Sequence, residues 1–243
     1  MGLADGNLGF SAPRDREDAW AMRQQWCAAA ALNATNLVTL GQIHGTRLHL
    51  ASASQAGWGA TPGSRQIGLG DALATADAGP VLMTLHADCQ PVLFVDPARG
   101  PRGPVVAVVH AGWRGTVTDI VGRTVAEMAA RFGTRPADVH VYLGPGIGSC
   151  CYDVGDEVVA AWRERAGADA GTAVHCSDGS FRFSLTAANA LLLGRAGVAA
   201  AHVDASGVCT RCQGEHWFSH RGQGPGTGRF GAMIAVSAQG NVA

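Results

Sequence analysis

The feature that most restricts the fold of this chain is a series of short apolar runs in its first 145 residues: "NLVTLGQIH", "RLHLAS", "PVLMTLH", "PVLFVD", "PVVAVVH" and "DVHVYLGP". Their length and β-branched content read as strands rather than helices. One long helical pattern, "TVTDIVGRTVAEMAARFG", lies between the last two. In it Val117, Ile120, Val121, Val125, Met128, Ala129 and Phe132 recur at helical spacing. Thr116 with Asp119 has the pattern of a capping box, and Gly133 suits the residue just past the helix end. Further helices are expected over 15–33, which has acids in its first turn, over "VGDEVVAAWRER", and over "SLTAANALLLGRAG" from Ser184 to before Gly197. The loop 55–71, rich in Gly and small residues, reads as flexible, and a final strand follows "FSHRGQGPGTGR". Strands and helices alternate only in part, so the expected class is α+β, with mixed β-sheets and flanking helices in a single domain over 1–243.

Composition narrows the function. A hydrophobic content of 47% in 243 residues is ample for a packed core. The net charge of −1 and scattered arginines argue against a nucleic-acid surface. The chain has no lysine, which excludes a P-loop or Schiff-base lysine. No apolar run is long enough for a membrane span, and "MGLADGNLGFSAPRDRED" lacks the order of a secretory signal, so the expected location is the cytoplasm. Seven cysteines in such a chain read as thiols, ligands or core residues. Cys27 reads as core filler. Cys209 and Cys212 form one C-x-x-C. A zinc ribbon needs a second such pair, and adjacent Cys150 and Cys151 have the wrong spacing for it.

Three segments deliver a metal-capable side chain to the end of a β-like run: "QIHG" with His44, "LHADC" with Cys89 and "VVHAGW" with His110. Two imidazoles and a thiolate make a plausible zinc set, leaving a fourth position for water or substrate. A metal-free alternative uses Cys89 as nucleophile with His110 or His44 as base. His86 reads as structural, and Asp88 either orients a ligand or caps a turn. Beyond His110, Gly112 permits a tight turn. Arg114 is expected just before a helix N-terminus, where it would strengthen an anion site. Trp113 reads equally as a ring platform or a core residue. The stretch "LGPGIGSCCYDVGDEV" has glycines that let the backbone pass close to a ligand but matches no nucleotide fingerprint. His220, Arg221 and Arg229 in "FSHRGQGPGTGRFGAMI" are a further anion-site candidate.

Taken in order, "QIHG", "ADCQPVLFVDP", "VVHAGWRGT", "LGPGIGSCCYDVGDEV", "GVCT" and "FSHRGQGPGTGR" resemble the YfiH-like, or laccase-domain, family, over about residues 36–236. The resemblance implies that His44, Cys89 and His110 are metal ligands. It also implies action on purine nucleosides: phosphorolysis of adenosine, inosine, guanosine and methylthioadenosine, and deamination of adenosine. Arg114, Arg221 and Arg229 are then the expected holders of phosphate or substrate. The family's laccase label implies copper redox chemistry, but multicopper oxidases use His-x-His pairs and this chain has none. Its peptidoglycan-editing name would suit the metal-free hydrolase, as an amidase on cell-wall precursors. A non-catalytic metal-binding protein is the remaining alternative. The family's Gly-rich arginine segment near the N-terminus is reduced here to "DGNLGF", His86 stands where Thr is usual, and "SHRG" where Tyr-Arg-Arg is common.

Overall fold

The computed structural model describes residues 6–11, 15–97, 103–177 and 179–236. Helix α1 (Arg16–Ala29) comes first. It is followed by β1 (Leu37–Val38), β2 (Leu48–Leu50), β3 (Ala72–Thr75), β4 (Val81–His86), β5 (Gln90–Asp96) and β6 (Val105–Ala111). Next come α2 (Trp113–Val117), α3 (Ile120–Phe132), β7 (His140–Leu143), β8 (Asp153–Val154) and α4 (Asp156–Ala166). The chain continues through β9 (Val174–Ser177), β10 (Ser180–Phe183), α5 (Leu185–Arg195), β11 (Val203–Ala205), α6 (His220–Gln223) and β12 (Phe230–Ala235).

Six strands form one sheet in the order β11-β7-β5-β6-β3-β2, and β1-β4-β12 and β8-β10-β9 form two smaller ones. Pairing is mixed: β5, β6, β3 and β7 meet antiparallel, whereas β2 runs parallel to β3 and β11 to β7. The class is therefore α+β, as the broken alternation of strand and helix patterns indicates. No described helix is long and apolar enough to cross a membrane.

The run "VVAVVHA" has no polar face because both faces of β6 are covered. Val105, Ala107, Val109 and Ala111 join one core with Val121, Val125 and Met128 of α3, and Trp162 and Phe183. Val106 and Val108 join a second core with Leu82 of β4 and Ile234 of β12. Alternation along the strand thus places His110 on the side of the three-stranded sheet. At about 1.5–3 kcal/mol per fully buried valine-sized side chain, this double-faced strand is a principal anchor of the fold.

Several local expectations are refined. Helix α1 is capped by Asp15, Cys27 is fully buried, α5 begins after its cap Ser184, and Gly133 ends α3 with φ of 68°. The pattern read as one helix over 116–133 is two, because Asp119 adopts a left-handed φ of 65° and itself caps Gly122. Thr116 caps nothing. It lies buried in α2, and its hydroxyl has no hydrogen-bond partner among the described residues. Within "NLVTLGQIH" only Leu37–Val38 is a strand, and His44 sits in a loop with φ of 59°. The alanine-rich β3 and the small β8-β10-β9 sheet carry no strong apolar alternation and escape the sequence pattern.

Candidate metal centre and cavity

Three elements converge on one point. His44 comes from the loop after β1, Cys89 from the tight turn joining β4 to β5, and His110 from β6. Their ligand atoms all lie within 4.8 Å of one another. The imidazoles of His44 and His110 meet edge to face, with centroids 4.9 Å apart. The structure therefore brings together the three residues that the sequence singled out.

Asp71, which sequence reasoning missed, organises this group. It stands one residue before β3, directly across from His110, whose N–H donates to the Asp71 carbonyl at 2.8 Å. One carboxylate oxygen lies 2.9 Å from His110 Nδ1 and accepts from the His44 N–H at 3.0 Å. The other accepts from Gly45 N–H at 2.6 Å and Ile43 N–H at 3.3 Å. This carboxylate holds the left-handed His44 loop in place. By engaging Nδ1 it also leaves His110 Nε2 for Cys89 and His44. No sequence motif marks Asp71; an acid before a small strand reads like any turn residue.

Burial alone would raise the Cys89 thiol, but the charge of His110 and hydrogen bonds from both histidines outweigh it and bring the pKa down to about 6. For His110 burial pulls downward, yet the Cys89 sulfur and Asp71 prevail and lift it to about 9. Without metal, the pair is thus a thiolate beside an imidazolium at neutral pH. His86 is different. It is fully buried, its Nδ1 is 3.0 Å from the Cys89 carbonyl, and its Nε2 is 2.8 Å from the Thr84 hydroxyl. Burial first, then the charge of His110, hold it well below the usual histidine range, so it stays neutral. It supports the Cys89 turn rather than joining the three donors.

Asp88 fixes the same turn from the other side. With φ of 84° it accepts from the Thr210 hydroxyl at 2.7 Å and from the Arg221 N–H at 2.6 Å, tying the turn to the loop after β11 and to α6. Gly112 completes the cradle: a Cβ there would lie 2.9 Å from Cys89 Sγ and 3.1 Å from His44 Cδ2. Two imidazoles and a low-pKa thiol suit zinc or copper and not magnesium or calcium, which take oxygen donors.

The three donors line a cavity of about 670 Å³, a size typical of small-molecule sites. Arg221, Arg229, His220, Tyr152, Gln42 and Asn7 also line it. Arg221 reaches the Asp153 carbonyl at 2.9 Å, and Arg229 the Thr227 and Gly228 carbonyls at 2.8 Å. Burial, reinforced by the Cys89 charge, pushes the Tyr152 hydroxyl above its usual range, so it remains a donor. Arg114 is placed otherwise. It lies exposed within α2, stacked 4.4 Å over Trp113, and is not among the cavity's lining residues. Trp113 is half-buried against the larger core, which favours its packing role.

A family model described as multi-copper polyphenol oxidoreductase laccase matches residues 2–237. A purine nucleoside phosphorylase, YlmD, from Geobacillus stearothermophilus is 35% identical over 244 residues, covering 96% of this chain and 84% of its own. An adenosine deaminase, RL5, from an unknown prokaryotic organism is 40% identical over 161 residues, covering 65% of this chain and 59% of its own. The crystal structure of the Bacillus licheniformis hypothetical protein YfiH superposes with a TM-score of 0.88 at 30% identity, covering 94% of this chain and 85% of that one.

Proposed function

The chain belongs to the multi-copper polyphenol oxidoreductase laccase family, and from that membership we propose that it is a zinc-dependent enzyme of purine nucleosides. Its reactions would be phosphorolysis of adenosine, inosine, guanosine or methylthioadenosine, and deamination of adenosine. The observation that carries this reading is the convergence of His44, Cys89 and His110 at a cavity that also holds Arg221 and Arg229. The relatives named as a phosphorylase and a deaminase support the substrate class.

His44, Cys89 and His110 would hold the metal, which when bound supplies Lewis acidity and activates water near neutral pH. The protein's own groups do the rest. Asp71 keeps His110 in the tautomer that presents Nε2. Cys89 is available as thiolate without a strong base. Arg221 and Arg229 place positive charge in the cavity for the phosphate that displaces the base at the sugar's anomeric carbon. Tyr152 offers a hydroxyl donor and an aromatic face beside the same space.

A second reading has one specific observation in its favour. The Cys89 thiolate beside the His110 imidazolium is also the arrangement of a thiol hydrolase, here an amidase on cell-wall precursors. Metal analysis separates the two. Purified protein should hold zinc that falls by one ion per chain in His44→Ala, and should release base from adenosine or inosine only when phosphate is present. Unchanged metal content in His44→Ala, with amide hydrolysis and no nucleoside turnover, would transfer the assignment to the hydrolase.

A further inference from the structure

The four cysteines of "SCCYD" and "CTRC" look mismatched in sequence, since neither pair completes a ribbon motif. In the fold they meet. The loop between β7 and β8 carries Cys150 and Cys151, the loop after β11 carries Cys209 and Cys212, and all four sulfurs lie within 4.8 Å of one another. Cys212 Sγ is 3.5 Å from that of Cys150 and 3.4 Å from that of Cys151. With Zn–S bonds of about 2.3 Å, the edge of a tetrahedral tetrathiolate is about 3.8 Å, so the sulfurs stand close to the spacing one zinc ion requires. All four are free thiols.

Backbone donors reach one of the four sulfurs. The Gly148 N–H donates to Cys209 Sγ at 3.2 Å, and the Cys212 N–H donates to the same sulfur across the C-x-x-C turn. Arg182 binds the Cys150 carbonyl at 2.8 Å and Arg211 the Cys151 carbonyl at 3.3 Å, so two guanidinium groups hold the β7–β8 loop where its two sulfurs stand. Gly148 packs directly beneath the cluster; a Cβ there would lie 3.2 Å from Cys150 Sγ and 3.4 Å from Cys209 Sγ.

We propose that Cys150, Cys151, Cys209 and Cys212 form a second, structural zinc site that clamps the β7–β8 loop to the loop after β11. Binding releases the thiol protons to solvent as the four sulfurs take up the ion. With four protein ligands the site is closed, unlike the three-donor centre. The clamp also braces the cavity. Tyr152, next to Cys151, lines it, and Thr210, inside the C-x-x-C, donates to Asp88 beside Cys89.

The test begins with Cys89→Ala, which removes the only thiol of the other centre. Prepared under reducing conditions with zinc present, this variant should retain one zinc ion per chain, and Cys89→Ala/Cys212→Ser should retain none. If the second substitution prevents folding, cobalt(II) added to metal-stripped Cys89→Ala decides: an intense near-ultraviolet thiolate-to-cobalt band is expected at one equivalent. The proposal is overturned by a Cys89→Ala protein that holds no zinc and gives no such band. It is equally overturned by zinc content that Cys212→Ser leaves unchanged, or by mass loss showing disulfides in the reduced preparation. Each outcome is independent of whether the protein acts on nucleosides.

Discussion

The Asp71 carboxylate lies 2.9 Å from Nδ1 of His110 and through the same oxygen accepts the backbone N–H of His44, so one side chain sets the direction of one imidazole and the loop that carries the other. Partners of this kind govern ligand basicity and ring orientation, and their loss typically costs about 10–100-fold in metal affinity. Asp71→Asn should therefore weaken zinc binding by about that factor, measured by chelator competition, although Asp71 would touch no metal itself. An affinity equal to that of the parent would show that β6 packing alone orients His110.

In the metal-free protein Cys89 should be alkylated far below the pH at which an ordinary cysteine reacts. Only the thiolate attacks, so the rate at Cys89 should rise through about pH 6 and level off by neutrality, against about 8.5 for a free cysteine. Sign and cause agree: the imidazolium of His110 favours the charged sulfur, and His110 keeps its proton up to about pH 9. Peptide mapping after iodoacetamide treatment follows Cys89 separately from the other thiols. One equivalent of zinc at the three-donor centre should suppress the reaction, and a midpoint near 8.5 would mean that the pair does not form.

What could be seen in the sequence follows the physics of each signal. The apolar runs of β4, β5 and β6 are legible because strands buried on both faces must be apolar throughout, and α3 because its buried stripe repeats at 3.6 residues. His44, Cys89 and His110 are legible because each stands at a boundary where apolar residues give way to a donor. Asp71 is not, since its role depends on lying opposite His110 across a strand pair that joins residues nearly forty positions apart. The four-cysteine group is hidden for the same reason, its halves being brought together by β7 and β11 pairing in parallel. Arg114 differs again: its sequence neighbours mark it as an anion holder, and the fold sets its guanidinium 4.4 Å over the Trp113 ring in the short α2.

Gly112 allows a test of how tightly the three donors are held. In Gly112→Ala the new methyl would stand 2.9 Å from Cys89 Sγ, closer than packed atoms tolerate, with β6 rigid on one side. The donors must spread to admit it. Zinc affinity should fall by about tenfold or more. The melting temperature should drop by only about 2–8 °C, as expected for 1–2 kcal/mol of overpacking. Chelator competition and thermal unfolding measured on the same preparation check both. Unaltered affinity would show that the centre is wider in solution than these contacts allow.

Under the proposed phosphorolysis, Arg221 and Arg229 can be compared with Arg114 as holders of the phosphate. The first two line the cavity with the three donors, and Arg221 is fixed there by its N–H to Asp88 and its guanidinium to the Asp153 carbonyl. A charge-assisted contact of this kind is worth about 1.5–3 kcal/mol, or roughly 10–150-fold in binding. Arg221→Ala and Arg229→Ala should each raise the KM for phosphate by about tenfold or more while leaving zinc content intact. Because deamination uses water and no phosphate, it should be reduced less than phosphorolysis in the same variants. Arg114→Ala should have the smaller effect on the phosphate KM, since its side chain lies on Trp113 outside the cavity lining. The reverse ranking would move the anion site to the start of α2, and equal losses of both activities would make the two arginines supports of the cavity wall rather than phosphate ligands.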